Sequence, residues 1–182
     1  MEGGGVPSTG NSFKSAAGVV AVVVVLGRNI HVQTNQVLVS LKQNMKNKTL
    51  NQLGTTHRPV RLRKDLWRPL VALTGFDTPQ SAQALSDALL ERSQTCQKEL
   101  KVSADHVAKP RRLRAVDEMN MVESSVLSLR DALESVGTRR QQGKLLALWE
   151  QPQWMELKGE KEWPSFLEHG QLELRNNRFV KE

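Results

Sequence analysis

Blocks of apolar and polar positions along the chain predict a sheet packed by helices. Residues 19–26 hold six valines in eight, and such β-branching predicts a strand buried on both faces, which residues 27–29 would end or bulge. Residues 69–74 (Pro-Leu-Val-Ala-Leu-Thr) predict a second strand, with proline tolerated at its start. Between them, an apolar stripe at Val37, Leu41 and Met45 predicts a helix from residue 34 or 35 to about residue 47.

Two longer helical patterns follow the second strand. The first begins at Thr78 with Pro79 in its first turn and runs to about Leu100, with Cys96 on its apolar side as a core residue rather than a reactive thiol. For the second, Asp117 is the predicted cap, and Gly137 ends an apolar pattern spaced by three and four residues. Met119, Val122, Val126, Leu129, Leu133 and Val136 form that pattern.

These elements predict an α/β (α+β) fold, a small mixed sheet with a βαβ unit packed by two to three helices. After residue 137 the chain becomes charged and proline-broken, with Trp149, Trp154 and Trp163, a short helix around residues 145–148 and a hairpin over residues 172–180. We therefore predict a disordered N-terminal tail (1–15), a compact α/β core (16–137) and an extended tail (138–182) that packs onto the core or docks a partner.

Charge and cysteine content narrow the classes of function. Lys plus Arg is 26 against 19 Asp plus Glu, giving +7 and a pI near 9.9, which favours RNA, DNA or an anionic membrane surface as partner. The longest apolar run, residues 16–26, is shorter than the ~20 residues of a membrane span, and neither a signal peptide nor an Arg-rich transit peptide is visible. A single cysteine excludes an internal disulfide framework and a multi-thiolate zinc site.

The cations concentrate in two segments. The first basic segment, residues 57–69, carries five cations and one carboxylate, Asp65, which we expect to pair with Arg63 or Arg68. If residues 60–63 are extended, Val60 and Leu62 anchor one face while arginines line the other, and guanidinium forks suit phosphate. The alternative interpretation is a solvated basic loop beside a core strand.

The second basic segment, residues 106–116, has four cations and no acid, and further arginines stand at the end of the last predicted helix. If both segments lie on the same side of the domain, they form one cationic surface that can bind a sugar–phosphate backbone. Sequence-specific contacts to the bases should be few, because the chain has few aromatic residues. The predicted RNA-binding residues are Arg58, Arg61, Arg63, Lys64, Arg68, Lys109, Arg111, Arg112, Arg114, Arg139 and Arg140.

No pattern predicts an active site. His31, His57, His106 and His169 are dispersed without metal-ligand spacing, and phosphate-binding glycine loops and nucleophile motifs are absent. The sequence therefore predicts no catalytic residue, cofactor, metal or small-molecule substrate, and a binding protein rather than an enzyme.

One run of sequence resembles a known family. Thr-Asn-Gln-Val-Leu-Val-Ser-Leu at residues 34–41, Leu53, and Leu-Arg-Lys-Asp-Leu-Trp-Arg-Pro-Leu at residues 62–70 are similar to the fungal mitochondrial homologous-recombination family, which also supplies a component of the large mitoribosomal subunit. The resemblance extends over residues 26–136. It departs at Val39, where family members usually carry an aromatic residue, and at residues 55–57, where they carry Gly-Lys-Lys.

The resemblance implies a mitochondrial protein without catalytic residues. Our main hypothesis is a structural constituent of the large mitoribosomal subunit in the matrix, with rRNA and neighbouring mitoribosomal proteins as partners. The alternative is a mitochondrial DNA-binding protein of homologous recombination or transcription regulation. Arg63, Lys64 and Arg68 lie inside the matched motif, whereas their contact with RNA is inferred from charge alone.

Overall fold

The computed structural model describes residues 26–42, 45–140 and 143–173, without the side chains of residues 138–140. The strands are β1 (Leu26–His31), β2 (Val37–Ser40), β3 (Trp67–Thr74), β4 (Leu145–Trp149) and β5 (Leu167–Gln171). The α-helices are α1 (Pro79–Val102), α2 (Ala104–Ala108), α3 (Arg111–Met119) and α4 (Val122–Arg140). Three 3₁₀ segments, Asn47–Gln52, Lys64–Leu66 and Pro152–Lys158, complete the described elements.

The strands form one mixed sheet in the order β2-β1-β3-β4-β5. Three pairs are antiparallel and the last, β4 with β5, is parallel. The predicted α/β class is therefore confirmed. Residues 27–29, predicted to end or bulge a strand, lie inside β1. The register between β1 and β3 shifts between Arg28 and Asn29, where Leu70 of β3 is the extra residue next to Pro69, which has no N–H to donate.

The helix predicted over residues 34–47 is wrong, because β1 and β2 form a hairpin there. Asn35 adopts φ 57°, a left-handed conformation that asparagine tolerates well, and its N–H donates to His31 O at 2.9 Å. Val37, Leu38 and Val39 are all buried, as a strand covered on both faces requires. Of the expected helical stripe, only Val37 lies in β2, whereas Leu41 and Met45 follow the strand and are partly buried against the core.

The βαβ unit predicted across residues 19–74 is likewise wrong. β1 pairs antiparallel with both β2 and β3, so no crossover helix is needed between them. The parallel pair lies instead at β4 and β5, joined through the 3₁₀ segment Pro152–Lys158. Residues 19–25 of the predicted valine strand lie outside the described residues, as does the N-terminal tail.

Helices α1 and α4 pack against each other and supply much of the core. Helix α1 begins where predicted, with Thr78 as N-cap accepting from Ser81 N at 3.1 Å and Pro79 in the first turn. Leu85 and Leu89 of α1 meet Val126 and Leu129 of α4 in the same cluster, each with 0% exposure. Complete burial of a leucine contributes about 2 kcal/mol by removal of apolar surface from water.

The start and end of the last long helix differ from expectation. Asp117 lies inside α3 rather than capping α4, because the chain breaks at Asn120 and the Met121 N–H donates to Asn35 O at 3.1 Å. Gly137 does not end α4, which continues to Arg140. The Phe166 ring lies against Gly137 and leaves no room for a β-carbon there. Glycine is therefore required for close packing at this position.

The short helix predicted near Leu145 is a strand, β4, which lies between β3 and β5. The tryptophans of the predicted tail pack inward: Trp149 is buried, its ring centroid lies 5.6 Å from that of Trp163, and its Nε1–H donates to His169 Nδ1 at 3.1 Å. The compact core thus continues past residue 137. The described residues end at residue 173, so the hairpin predicted over residues 172–180 lies outside them apart from its first two residues.

The edge strand β2 is covered by one side chain. Gln52, at the end of a 3₁₀ segment, donates from Nε2 to Val39 O at 2.7 Å and accepts from Val39 N at 2.8 Å. One amide thereby satisfies both outward groups of that residue, as a neighbouring strand would.

No helix in the described parts of the chain is long and apolar enough to cross a membrane.

Candidate nucleic-acid interface

The first basic segment begins with a fastened loop, residues 57–63, which leads through the 3₁₀ turn Lys64–Leu66 into β3. At its start, His57 O accepts a hydrogen bond from Gln36 Nε2 at 3.0 Å. Near its end, the Leu62 N–H donates to Asn47 Oδ1 at 3.1 Å, and Leu62 packs against the core. The loop is therefore held at both ends by side chains of other elements.

The extended conformation predicted for residues 60–63 is wrong in one respect. Leu62 is anchored as expected, but Val60 is fully exposed at 104% relative accessibility. The backbone bends at Val60 and Arg61, which interrupts the alternation of side chains that an extended segment would have. Val60 therefore projects into solvent instead of docking.

The cations of the first basic segment have different neighbours. Arg63 pairs with Asp65 at 2.7 Å, as one predicted alternative has it, and this hydrogen bond holds the pKa of Asp65 below its ordinary value. Arg68 pairs with Glu150, whose side chain is only 5% exposed. Arg58 donates to the neutral Asn51 Oδ1 at 2.8 Å.

Two further cations, Arg61 and Lys64, are exposed and form no ion pair with any carboxylate in the described parts of the chain. A free guanidinium or ammonium group on a fastened loop can approach a phosphate without first leaving an internal partner. These two side chains therefore carry the most available positive charge of the first basic segment.

The second basic segment is helical rather than extended. It covers α2 and the first part of α3, where Lys109 pairs with Asp117 at 2.6 Å and thereby lowers the pKa of that carboxyl. Arg114 Nε donates to Lys109 O at 2.8 Å. Arg111 and Arg112 are exposed on the first turn of α3, without an ion pair among the described residues.

The remaining two predicted residues, Arg139 and Arg140, are the last residues of α4, and their side chains lie outside the described part.

The second basic segment also exposes apolar side chains: Val107, Leu113 and Val116 are each more than half exposed. A solvated cationic face alone does not need such residues.

Glu118 joins the two basic segments. Its Oε2 lies 3.2 Å from His57 Nε2 of the first segment, and its Oε1 lies 3.2 Å from the buried His106 Nε2 of the second. Burial disfavours the carboxylate, but hydrogen bonds from both histidines and the charge of Lys101 hold the pKa of Glu118 below its ordinary value. This one carboxylate therefore brings residues of the two segments together, whereas the continuous cationic surface remains a prediction.

Sequence reasoning missed this bridge because the two histidines are separated by about fifty residues and show no spacing that links them. It also missed Arg28, a fully buried cation that donates to Ser125 O and whose pKa burial lowers to about 10. Alternation from Leu26 through Arg28 to Ile30 is the signal that places it on the buried face of β1.

A cleft of about 290 Å³ lies between α1 and the start of α4 and is lined by Arg28, Cys96, Glu118 and Ser125, among others. Cys96 is half-buried, with Sγ 3.9 Å from Ser128 Oγ. Within the described residues, no three His, Cys, Asp or Glu side chains converge in a way that would hold a metal ion.

Comparison with known proteins gives one finding. Residues 29–101, fewer than half of the chain, match a family model described as transcriptional regulation of mitochondrial recombination (Mhr1). A search of curated proteins gives no match. The matched range contains β2, the first basic segment and most of α1, and it excludes the second basic segment. This part of the chain is thus similar to a family named for mitochondrial recombination.

Proposed function

We propose that this protein binds mitochondrial DNA and acts in recombination or in the regulation of transcription, as a binding protein rather than an enzyme. One observation carries the proposal: Arg61 and Lys64 form no ion pair with a carboxylate in the described parts of the chain. Both lie in the fastened first basic segment, inside the range that matches the family. A basic loop of fixed shape meets a sugar–phosphate backbone at a small entropic cost.

A mitochondrial location belongs to the same proposal. It draws support from the description of the matched family and from the resemblance in residues 34–41 and 62–70. The net charge of +7 favours a polyanionic partner in that compartment.

The test measures the affinity of the full chain for a DNA duplex at several salt concentrations. Replacing Arg61→Ala and Lys64→Ala together should reduce the slope of log affinity against log salt by about 2, because each free cation releases about one counterion. The control, Arg63→Ala with Lys109→Ala, removes the same formal charge from cations that are already paired, and its slope should change less. Equal slopes for both double variants would contradict the proposal.

A second candidate is a structural role in the large mitoribosomal subunit, with rRNA and neighbouring proteins as partners. It is favoured by the second basic segment, where Arg111 and Arg112 lie beside exposed Leu113 and Val116, a mixture suited to a site shared by RNA and protein. Sedimentation of mitochondrial lysate separates the candidates. Co-migration with large subunits at low salt and release at high salt supports this role, whereas recovery only with mitochondrial DNA supports the first.

A further inference from the structure

Val60 differs from the other aliphatic side chains on the described surface. It is 104% exposed, whereas Val102 at the end of α1 is 80% exposed and Leu113 and Val116 of α3 are 54% and 56% exposed. An isolated exposed valine is ordinary by itself. Its position is not, because it stands at the bend of a loop that is fastened at His57 and at Leu62.

The loop holds this valine in a defined position before any partner arrives. Pro59 fixes one backbone angle directly before it. Arg58 is tied to Asn51 at 2.8 Å, so the chain on that side is also held by a side chain. An apolar group on such a loop loses little conformational freedom when it enters a partner.

The charge around Val60 indicates the chemistry of that partner. Arg58 and Arg61 flank the Pro-Val tip directly, and Lys64 follows within the same segment. The partner should therefore offer an apolar slot between negatively charged groups. A base-pair step in duplex DNA has this arrangement, since the flat faces of the bases lie between two phosphate backbones. Proteins that kink DNA from the minor groove insert apolar side chains there.

We infer that Val60 is an apolar wedge that enters a base-pair step of duplex DNA from the minor groove while Arg58 and Arg61 contact the flanking phosphates. This inference rests on the proposed DNA-binding function. Flexible pyrimidine–purine steps such as TA should be preferred, because they are the cheapest to unstack. The wedge gives the protein a way to open or bend a duplex locally without catalytic residues.

The experiment uses the full chain and a 24-base-pair duplex with a central TA step that carries 2-aminopurine and a dye at each end. Wild-type protein should raise 2-aminopurine fluorescence and shorten the distance between the dyes. Val60→Thr exchanges one methyl group for a hydroxyl at constant shape. It should abolish both signals and weaken binding by about tenfold, because a polar group is poorly accommodated between stacked bases. Val60→Met keeps an apolar wedge and should retain both signals.

The matched control is Val102→Thr, the same exchange at a residue of α1 that is 80% exposed and outside both basic segments, which should leave both signals unchanged. Thermal unfolding of Val60→Thr should match wild type, because the side chain makes no buried contact. Salt-dependent binding of the wild type without a fluorescence change would overturn the wedge and leave the proposed function intact. Absence of salt-dependent DNA binding would overturn both. Loss of rRNA binding by Val60→Thr with unchanged DNA signals would overturn the wedge in favour of an RNA partner.

Discussion

The two basic segments have similar compositions and opposite architectures. The first is a loop whose backbone is tied to Gln36 and Asn47, so its cations project from a frame built by other elements. The second forms short helices whose Lys109 and Arg114 bind groups within the segment or in the following turn. Both segments contain proline, but Pro110 of the second stands at the N-cap of α3, where it is tolerated, and is followed by the helix formers Arg, Leu and Ala. In the first, Pro59 is followed by Val60, a poorer helix former.

The comparison shows that the number of cations does not measure the charge available to a ligand. Arg63 and Arg68 of the first basic segment face carboxylates of the protein itself, as does Lys109 of the second. Such pairs neutralise much of the field that a phosphate would feel. The available charge is therefore restricted to a few positions on each segment, and on the first, Arg61 and Lys64 follow closely after an exposed valine.

The largest effect is expected from a change that removes the support of both segments. Leu129→Asp places a charge without a partner at a site of 0% exposure in α4 and should lower the free energy of unfolding by about 4 kcal/mol or more. Circular dichroism and chemical denaturation measure this loss. Leu113→Asp on the exposed side of α3 is the control and should cost less than about 1 kcal/mol. DNA binding that survives in unfolded Leu129→Asp would show that the first segment needs no folded frame.

A smaller effect should separate a cation that supports the fold from one that is free. Arg68→Ala leaves the buried Glu150 carboxylate without its arginine and should lower stability by about 2 kcal/mol, with little change in the salt dependence of DNA binding. Arg61→Ala should do the reverse, with stability unchanged and a reduced salt slope. Urea titrations and salt titrations of both variants test this pair, and two identical profiles would refute the distinction.

The smallest effect should come from the bridge between the segments. Glu118→Gln removes the charge that faces His57 and His106 and should cost about 1 kcal/mol at neutral pH. Because the folded protein lowers the pKa of Glu118, its stabilisation is present above the ordinary value of 4.5 and is lost as pH falls below it. The wild type and the variant should therefore converge in stability as the pH falls below 4.5.

The exposed Glu156→Gln is the matched control for that exchange and should not show this pH dependence. A constant difference between wild type and Glu118→Gln across the pH range would mean that the bridge does not depend on the ionised carboxylate. Hydrogen exchange at Leu62 and Val107 then tells whether loosening one segment also loosens the other.

Features that depend on local sequence were predictable. The strand at residues 69–74, the cap at Thr78 and the core position of Leu129 each follow from turn chemistry or apolar periodicity. The hairpin at Asn35 was not predicted, because three consecutive buried residues suit a buried strand and a helix equally well. The strand β4 was missed for a similar reason: Leu145–Trp149 is a short apolar segment whose partner strands are distant in the sequence.

The candidate interface was predictable in composition and not in geometry. The positions of the basic residues are visible in the sequence, but the partner of each cation depends on tertiary contacts such as Arg68 with Glu150. The exposure of Val60 follows from a bend that neither propensity nor period predicts. The bridge through Glu118 needs His106 of α2 and His57 of the first loop to meet the same carboxylate on α3, and only the folded chain shows this.

The double hydrogen bond between Gln52 and Val39 has a consequence for association between molecules. A side-chain amide that occupies the outer rung of β2 blocks the place where a second polypeptide would extend the sheet. Gln52→Ala would uncover an apolar ribbon with one unsatisfied donor and one unsatisfied acceptor, so concentrated solutions of that variant should form intermolecular β-structure. A single glutamine in a 3₁₀ turn thereby disfavours self-association of the protein through the edge of its sheet.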